Sequence, residues 1–263
     1  MAVDFLNDAI KVTIENRVAM IEMNQSDALN RLNKDNIKEL IHILKEISIS
    51  DEIKIVVLTG KEGAFSASVD TQVLSQLKNE SDFYYTMNLI NELISVLYSM
   101  PKITISAISG RVSGLGISLA LATDHILASK HSIFVMNSIE MGLIPVGGLH
   151  FFLERRLGED RAKHLIWAGK TMSAEEAIQH SLINEIAEGS VQQAIGEKVQ
   201  QWLQTPIQAM IKSKKILAEK NRPHLLKILE LEKFAQYKMR QTKDHQECCQ
   251  AAMEKRKPNF VGE

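Results

Sequence analysis

The groups best placed for chemistry in this chain are the backbone amides of two short turns. Phe65-Ser-Ala-Ser-Val-Asp70 follows the apolar run Ile53 to Leu58, and Ser113-Gly-Leu-Gly116 follows the apolar run Ile103 to Ile108. Where a strand passes through a small-residue turn into a helix, the first N–H groups have no intrahelical acceptor and attract negative charge. Two such turns aimed at one carbonyl oxygen would stabilise a developing enolate or tetrahedral oxyanion. The same spacing suits two tight turns that only close βα units, and motifs this short do not decide between the two. Gly114-Leu-Gly116 also matches part of a dinucleotide fingerprint, but Leu119 occupies its third glycine position.

Among side chains, Glu140 lies at the end of the apolar stretch Phe134-Val-Met-Asn-Ser138-Ile-Glu140. A carboxylate in apolar surroundings is a ready acid or base, whereas one at a strand exit is ordinarily solvated. If the stretch is extended, its period of two turns Glu140 toward the side served by Ser138. The tail Glu254-Lys-Arg-Lys-Pro258 is either a phosphate contact or a basic helix end. The histidines are scattered, and His125 and His131, the closest pair, have no carboxylate cluster beside them, so no metal site is expected. There is no Gly-x-Ser-x-Gly elbow for a serine hydrolase.

The elements that must position these groups are legible from periodicity. Ile10 to Ile14 and Val18 to Met23 alternate around Asn16-Arg17 as a hairpin. Ile37, Leu40, Ile41, Leu44 and Ile47 mark a helix over 36–49. Phe83, Met87, Ile90, Ile94 and Leu97 mark another, stopped by Pro101. Ile53 to Leu58 and Ile103 to Ile108 read as strands buried on both faces. A helix over 117–122 and short strands over 124–128 and 132–136 follow. Ser173-Ala-Glu-Glu176 forms a capping box, and Pro206 and Pro223 punctuate the last helices. Met87, Leu89, Ile90, Ile139 and Phe151 line an acyl pocket or, at helical spacing, are core. Strands alternating with helices predict an α/β core over 1–200 and a helical region over 201–263.

Composition narrows the class. The chain has 263 residues, 45% of them hydrophobic, and a formal net charge of -1, so bulk electrostatics supplies no argument for nucleic acid. Lys212-Ser-Lys-Lys215 is the one short basic run that bears on RNA, and it lacks interleaved aromatics. Cys248 and Cys249 are adjacent, which disfavours a disulfide and fits a reduced, cytoplasmic protein. No apolar run reaches a membrane span, and no signal peptide is read at the N-terminus.

Five segments, in order and at matching spacing, resemble the crotonase, or enoyl-CoA hydratase/isomerase, superfamily. They are Ala28-Leu-Asn30, Phe65-Ser-Ala-Ser-Val-Asp70, Gly114-Leu-Gly-Ile-Ser-Leu-Ala-Leu-Ala-Thr-Asp124, Met141-Gly-Leu-Ile-Pro145 and the Glu-Lys-Arg-Lys-Pro258 tail. The resemblance implies a spiral of ββα units with a helical C-terminal region that drives assembly into a homotrimer or a dimer of trimers. It implies an acyl thioester substrate, with coenzyme A or an acyl carrier protein as carrier and no further cofactor. It places the thioester oxygen on the N–H groups of Val69 and Leu115, where relatives carry small residues. Ala28, Asn30, Ala67 and Lys255 align with contacts to coenzyme A. The two glutamates that serve hydratases of the family align with Ser118 and Ser138. A serine hydroxyl has no accessible pKa near neutrality and cannot take over general acid–base work. The expectation is therefore altered chemistry, decarboxylation or an isomerisation using Glu140, or else a non-catalytic thioester binder.

Overall fold

The computed structural model describes residues 9–25, 29–61, 63–66 and 79–263. Two strands, β1 (Ile10–Glu15) and β2 (Val18–Met23), form the expected antiparallel hairpin. Asn16 and Arg17 both have positive φ, 48° and 69°, which gives the turn the twist that a two-residue hairpin requires. The helix α1 (Lys34–Ile49) starts where the Asn33 side chain accepts the Asn36 N–H, and it buries Ile37, Leu40, Ile41, Leu44 and Ile47.

A long strand then runs repeatedly into a short one that belongs to a different sheet. The pairs are β3 (Ile55–Gly60) with β4 (Ala64–Ser66), β5 (Ile103–Ile108) with β6 (Arg111–Ser113), and β7 (His125–Ser129) with β8 (Ile133–Val135). The long strands join the hairpin in one sheet, ordered β1-β2-β3-β5-β7-β10, where β10 is Glu185–Ala187. The short ones form a second sheet, β4-β6-β8-β9, where β9 is Thr171–Ser173. Pairing is parallel from β2 to β10 and from β4 to β8. Two helices, α2 (Glu80–Ser99) and α3 (Leu115–Leu121), stand between successive strand pairs, so the chain advances as a spiral of strand, strand and helix. This is the α/β architecture that the alternating elements predict.

The central strands are buried on both faces because helices cover both. Ile55, Val57, Ile103 and Ile105 pack with α7 (Val191–Leu203) and the start of α8 (Ile207–Met239). Their neighbours Val56, Leu58 and Ile108 point into the main core on the opposite face. Met87, Leu89, Ile90 and Phe151 belong to that core as well. The remaining elements are a 3-10 turn (Ile139–Met141), α4 (Leu149–Leu157), α5 (Glu159–Ala168), α6 (Ala174–Gln179) and α9 (Lys243–Glu254). Ser173 and Glu176 make the reciprocal capping box at the start of α6. Residue 200 falls inside α7, and both α7 and α8 pack on β5.

Pro206 marks a boundary, as the residue that opens α8, but Pro223 does not. It sits in the middle of the continuous α8, on its exposed side. The one hydrogen bond it removes would have used the carbonyl of Glu219, an exposed residue that water can serve.

Asn30 ties the first part of the chain to the start of the second sheet. It is 1% exposed and held at φ 54°. Its amide nitrogen donates to the carbonyls of Lys61 (3.0 Å) and Ala64 (2.7 Å), and its oxygen accepts from the Gln25 N–H (2.7 Å). Ser66 Oγ donates back to the Asn30 carbonyl at 2.9 Å. The side chain therefore braces β4 and has no amide hydrogen left for a ligand. Replacing it strands the buried Ala64 carbonyl and leaves two part-buried partners, the Gln25 N–H and the Lys61 carbonyl, unmet. We expect Asn30→Ala to lower unfolding free energy by roughly 2–4 kcal/mol. A urea denaturation curve checks this, and a loss under about 0.5 kcal/mol would contradict the bracing role.

Candidate active site

A cavity of about 500 Å³ opens between the start of α3, the segment after β8 and α8. Leu115 lines it from the first turn of α3, and Arg111, Ser113 and Gly114 line it from β6 and the turn that follows. Met136, Asn137, Ser138 and Met141 line it from the chain beyond β8, and Gln236 reaches it from α8. Among the described residues, no Asp, Glu, His, Lys or Cys lines this cavity.

Leu115 is where sequence reasoning put one amide donor. It is the first residue of α3, so its N–H lacks an intrahelical acceptor. The turn is pressed against the end of β4: a Cβ added to Gly116 would stand 2.3 Å from the Ser66 carbonyl oxygen. Only a glycine permits that approach. The chain leaving Ser66 therefore sets out from beside the Leu115 turn. Val69 and Ala67 lie beyond it, outside the described residues, as does Ala28.

The Leu115 side chain is 1% exposed and packs in the main core. Its room comes from Gly147, where φ is +75° and an added Cβ would meet Leu115 Cδ1 at 2.7 Å and Ser118 Cβ at 3.0 Å. Ser118 is fully buried, and its hydroxyl donates to the Val146 carbonyl at 2.6 Å. It is thus an anchor for the cavity wall. Ser138 is half-buried, lines the cavity and opens the 3-10 turn, its carbonyl accepting from Met141 and Leu143 N–H.

Glu140 is placed differently from the extended reading. The chain after β8 coils into the 3-10 turn, which removes the period of two that aligned residues 138 and 140. Glu140 is exposed and lies beside Gly169, whose added Cβ would stand 3.3 Å from Glu140 Cγ. It does not line the cavity. Ile139 is half-buried against the core and does not line the cavity either.

The basic segments are largely engaged. Arg256 binds Glu247 and Glu254, and with the Asn259 N–H it holds the Glu247 carboxyl down at about 2. Lys255 is exposed and caps α9 in the left-handed conformation, φ 54°, away from the cavity lining. Lys214 turns inward to Asp124 at 2.7 Å, and burial pushes its pKa down, so the run over 212–215 does not present all its lysines to solvent.

Sequence reasoning missed two residues of α8 that build the site. Glu232 is 3% exposed and accepts from the Gly148 N–H (2.7 Å), the His150 N–H (3.2 Å) and His150 Nδ1 (2.7 Å). Gln236 Oε1 accepts from the Ile144 N–H at 3.1 Å. The signal was present: Leu225, Leu229, Glu232 and Gln236 share one helical stripe, and two polar members of an apolar stripe need partners.

Comparison with known proteins agrees with this architecture. The family model for enoyl-CoA hydratase/isomerase matches residues 13–263. YhaR of Bacillus subtilis (strain 168), itself only provisionally assigned as an enoyl-CoA hydratase/isomerase, is 40% identical over 92% of this chain and 95% of its own length. The 1,2-epoxyphenylacetyl-CoA isomerase of Escherichia coli (strain K12) is 28% identical over 95% of this chain and 97% of its own. In fold, the crystal structure of an enoyl-CoA hydratase from Bacillus halodurans superposes with a TM-score of 0.87 at 23% identity, covering 93% of this chain and 100% of that one. The chain belongs to the enoyl-CoA hydratase/isomerase family.

The contact between Leu115 and Gly147 yields a test. Gly147→Ala forces a Cβ into the Leu115 methyl and should cost roughly 1–3 kcal/mol of stability. Leu115→Ala alone should cost about 2–5 kcal/mol through a cavity. Because the two act on one contact, the double variant should lose clearly less than the sum. Additive losses in denaturant titrations would show that the two residues are not coupled.

Proposed function

We propose that the chain binds an acyl thioester, of coenzyme A or an acyl carrier protein, and holds its carbonyl oxygen on the amides of Val69 and Leu115. The observation that carries this is the placement of the Leu115 turn. It opens α3 against the end of β4 and lines a cavity that no described carboxylate or histidine enters. Amide donors fixed in a water-poor site stabilise developing negative charge without reorganising. The relatives' names span both carriers: a trans-2-decenoyl-[acyl-carrier-protein] isomerase of Streptococcus mutans is 24% identical over 96% of this chain.

The chemistry that fits is enolate formation without a resident acid–base pair. Ser118 and Ser138 stand at the positions that the resemblance aligns with the family's glutamates, and the Ser118 hydroxyl is occupied in a hydrogen bond that it donates to the Val146 carbonyl. Decarboxylation meets the requirement. The bond from Cα to a carboxylate breaks, its electron pair enters the enolate on the thioester oxygen, carbon dioxide leaves, and solvent protonates Cα. An isomerisation needs a base, and Glu140 stands off the cavity. The second reading is a thioester binder without turnover, which the lack of acid–base groups among the described lining residues favours. Either way the protein is read as cytoplasmic, with the carrier as part of the substrate. A homotrimer or dimer of trimers fits the apolar side chains that α8 leaves exposed, among them Ile216, Leu217, Leu231 and Phe234.

The test is a panel of acyl-CoA esters with binding and products measured together. We expect measurable binding, hydration of an enoyl ester at least about 100-fold below a hydratase with both acids, and Glu140→Gln within about twofold of wild type in any turnover. Hydration at an ordinary hydratase rate would overturn the proposed chemistry. Failure of every ester to bind would overturn the thioester reading itself.

A further inference from the structure

Arg111 has no part in holding the cavity wall or the proposed amide donors. It opens β6, and its backbone N–H donates to the Gly63 carbonyl at 2.9 Å. Residues two apart share one face of a strand, and Arg111 and Ser113 both line the cavity. At about 3.3 Å per residue, their Cα atoms lie roughly 7 Å apart along the wall that leads to Leu115. Arg111 is exposed, and among the described residues its guanidinium has no hydrogen-bond or ion-pair partner. Arg31 also lines the cavity but has an interaction of its own within the chain, so nothing further is asked of it. The rest of the polar lining is uncharged, comprising Ser113, Asn137, Ser138 and Gln236. The cavity thus carries positive charge that no described lining residue neutralises.

We infer that Arg111 reads an anionic group at the far end of the acyl chain, so that the preferred ligand is an acyl thioester with a distal carboxylate, separate from any carboxylate on Cα that decarboxylation would remove. The inference rests on the thioester reading above and adds the substrate class to it. A guanidinium presents two parallel N–H donors that match a carboxylate. The carboxylate in question is the distal one and is retained. Pairing a leaving carboxylate with a cation would stabilise the ground state and oppose its loss, so Arg111 does not hold a group that departs as carbon dioxide.

Binding constants test this without any need for turnover. Succinyl-CoA is compared with butyryl-CoA, and glutaryl-CoA with valeryl-CoA, each pair matched in carbon number. The same acyl pairs are also presented as pantetheine thioesters, which lack the phosphates of the carrier. Wild type should favour the dicarboxylic member of at least one pair by roughly 10- to 100-fold, on both carriers. Arg111→Met should abolish that preference while changing the neutral ester by less than about threefold, and Arg111→Lys should keep part of it. Neutral-ester binding serves as the control for folding. Loss of affinity by both members of a pair with coenzyme A, but not with pantetheine, would mean that Arg111 contacts carrier phosphate, and the inference would fail. Equal affinities for both members in wild type would overturn it as well, while leaving the thioester reading intact. If no thioester binds wild type, the thioester reading falls and the inference with it.

Discussion

The site depends on how a five-residue stretch of irregular backbone, residues 144–148, is held in place. It forms one wall of the cavity, and of its polar groups the helix that follows serves the Gly148 carbonyl, which accepts the Phe152 N–H. Three side chains from two helices serve others. Gln236 accepts the Ile144 N–H, Ser118 donates to the Val146 carbonyl, and Glu232 accepts the Gly148 N–H. Each neutral bond contributes only about 1 kcal/mol net, but leaving its buried partner unmade costs more than forming it returns. The Glu232 carboxyl also accepts from the His150 backbone N–H and meets its ring Nδ1, which tethers the first turn of α4. The wall is therefore fixed from both sides, by α3 and by α8.

The same wall fixes the proposed donor. Leu115 is large for a turn that must bring its amide close to a ligand, and its methyl group lies under Gly147. The side chain is used as a wedge between α3 and the 144–148 stretch, so the amide of Leu115 cannot move without disturbing the wall. Such rigidity is what electrostatic stabilisation of an oxyanion requires, since donors that are already oriented need no reorganisation when charge develops. It does not supply proton transfer. The two serines near the proposed donor have structural contacts: Ser118 anchors the wall, and Ser138 starts a 3-10 turn. Neither serine hydroxyl titrates near neutrality.

Much of the scaffold was legible because it is built from strict periodicity. The hairpin around Asn16-Arg17, the doubly buried strands β3 and β5, and the capping box at Ser173 each rest on a local rule that tertiary structure had no reason to override. What was not legible depended on competition between local and distant forces. An extended chain would turn Glu140 to the side of Ser138, but the Ser138 carbonyl takes the N–H groups of Met141 and Leu143 and coils the segment, so Glu140 lies against Gly169. Pro223 suggests a helix end, yet α8 continues because the lost bond falls on the exposed side. Glu232 and Gln236 were hidden for a different reason. Polar residues on a helix are read as solvated unless the stripe they share with Leu225 and Leu229 is recognised first.

The C-terminal helices are part of the site as much as a cover for it. α8 supplies Glu232 and Gln236 to the cavity wall, and α9 grips the 3-10 turn from outside. His245 Nδ1 bonds the Met141 carbonyl at 2.8 Å, and the Cys248 thiol reaches the Glu140 carbonyl at 3.5 Å. A Cβ on Gly142 would stand 2.9 Å from the His245 nitrogen, so the turn and α9 are in close contact. Since Met141 and Ser138 both line the cavity, its shape on that side follows from where α9 sits. The tail closes the arrangement, because Arg256 folds back on Glu247 and Glu254 of the same helix. A chain in which the strands and α3 fix the proposed Leu115 donor while α8 and α9 fix the opposite wall must fold both regions to have this cavity at all. The binding geometry is therefore a property of the docked pair and does not belong to either region alone.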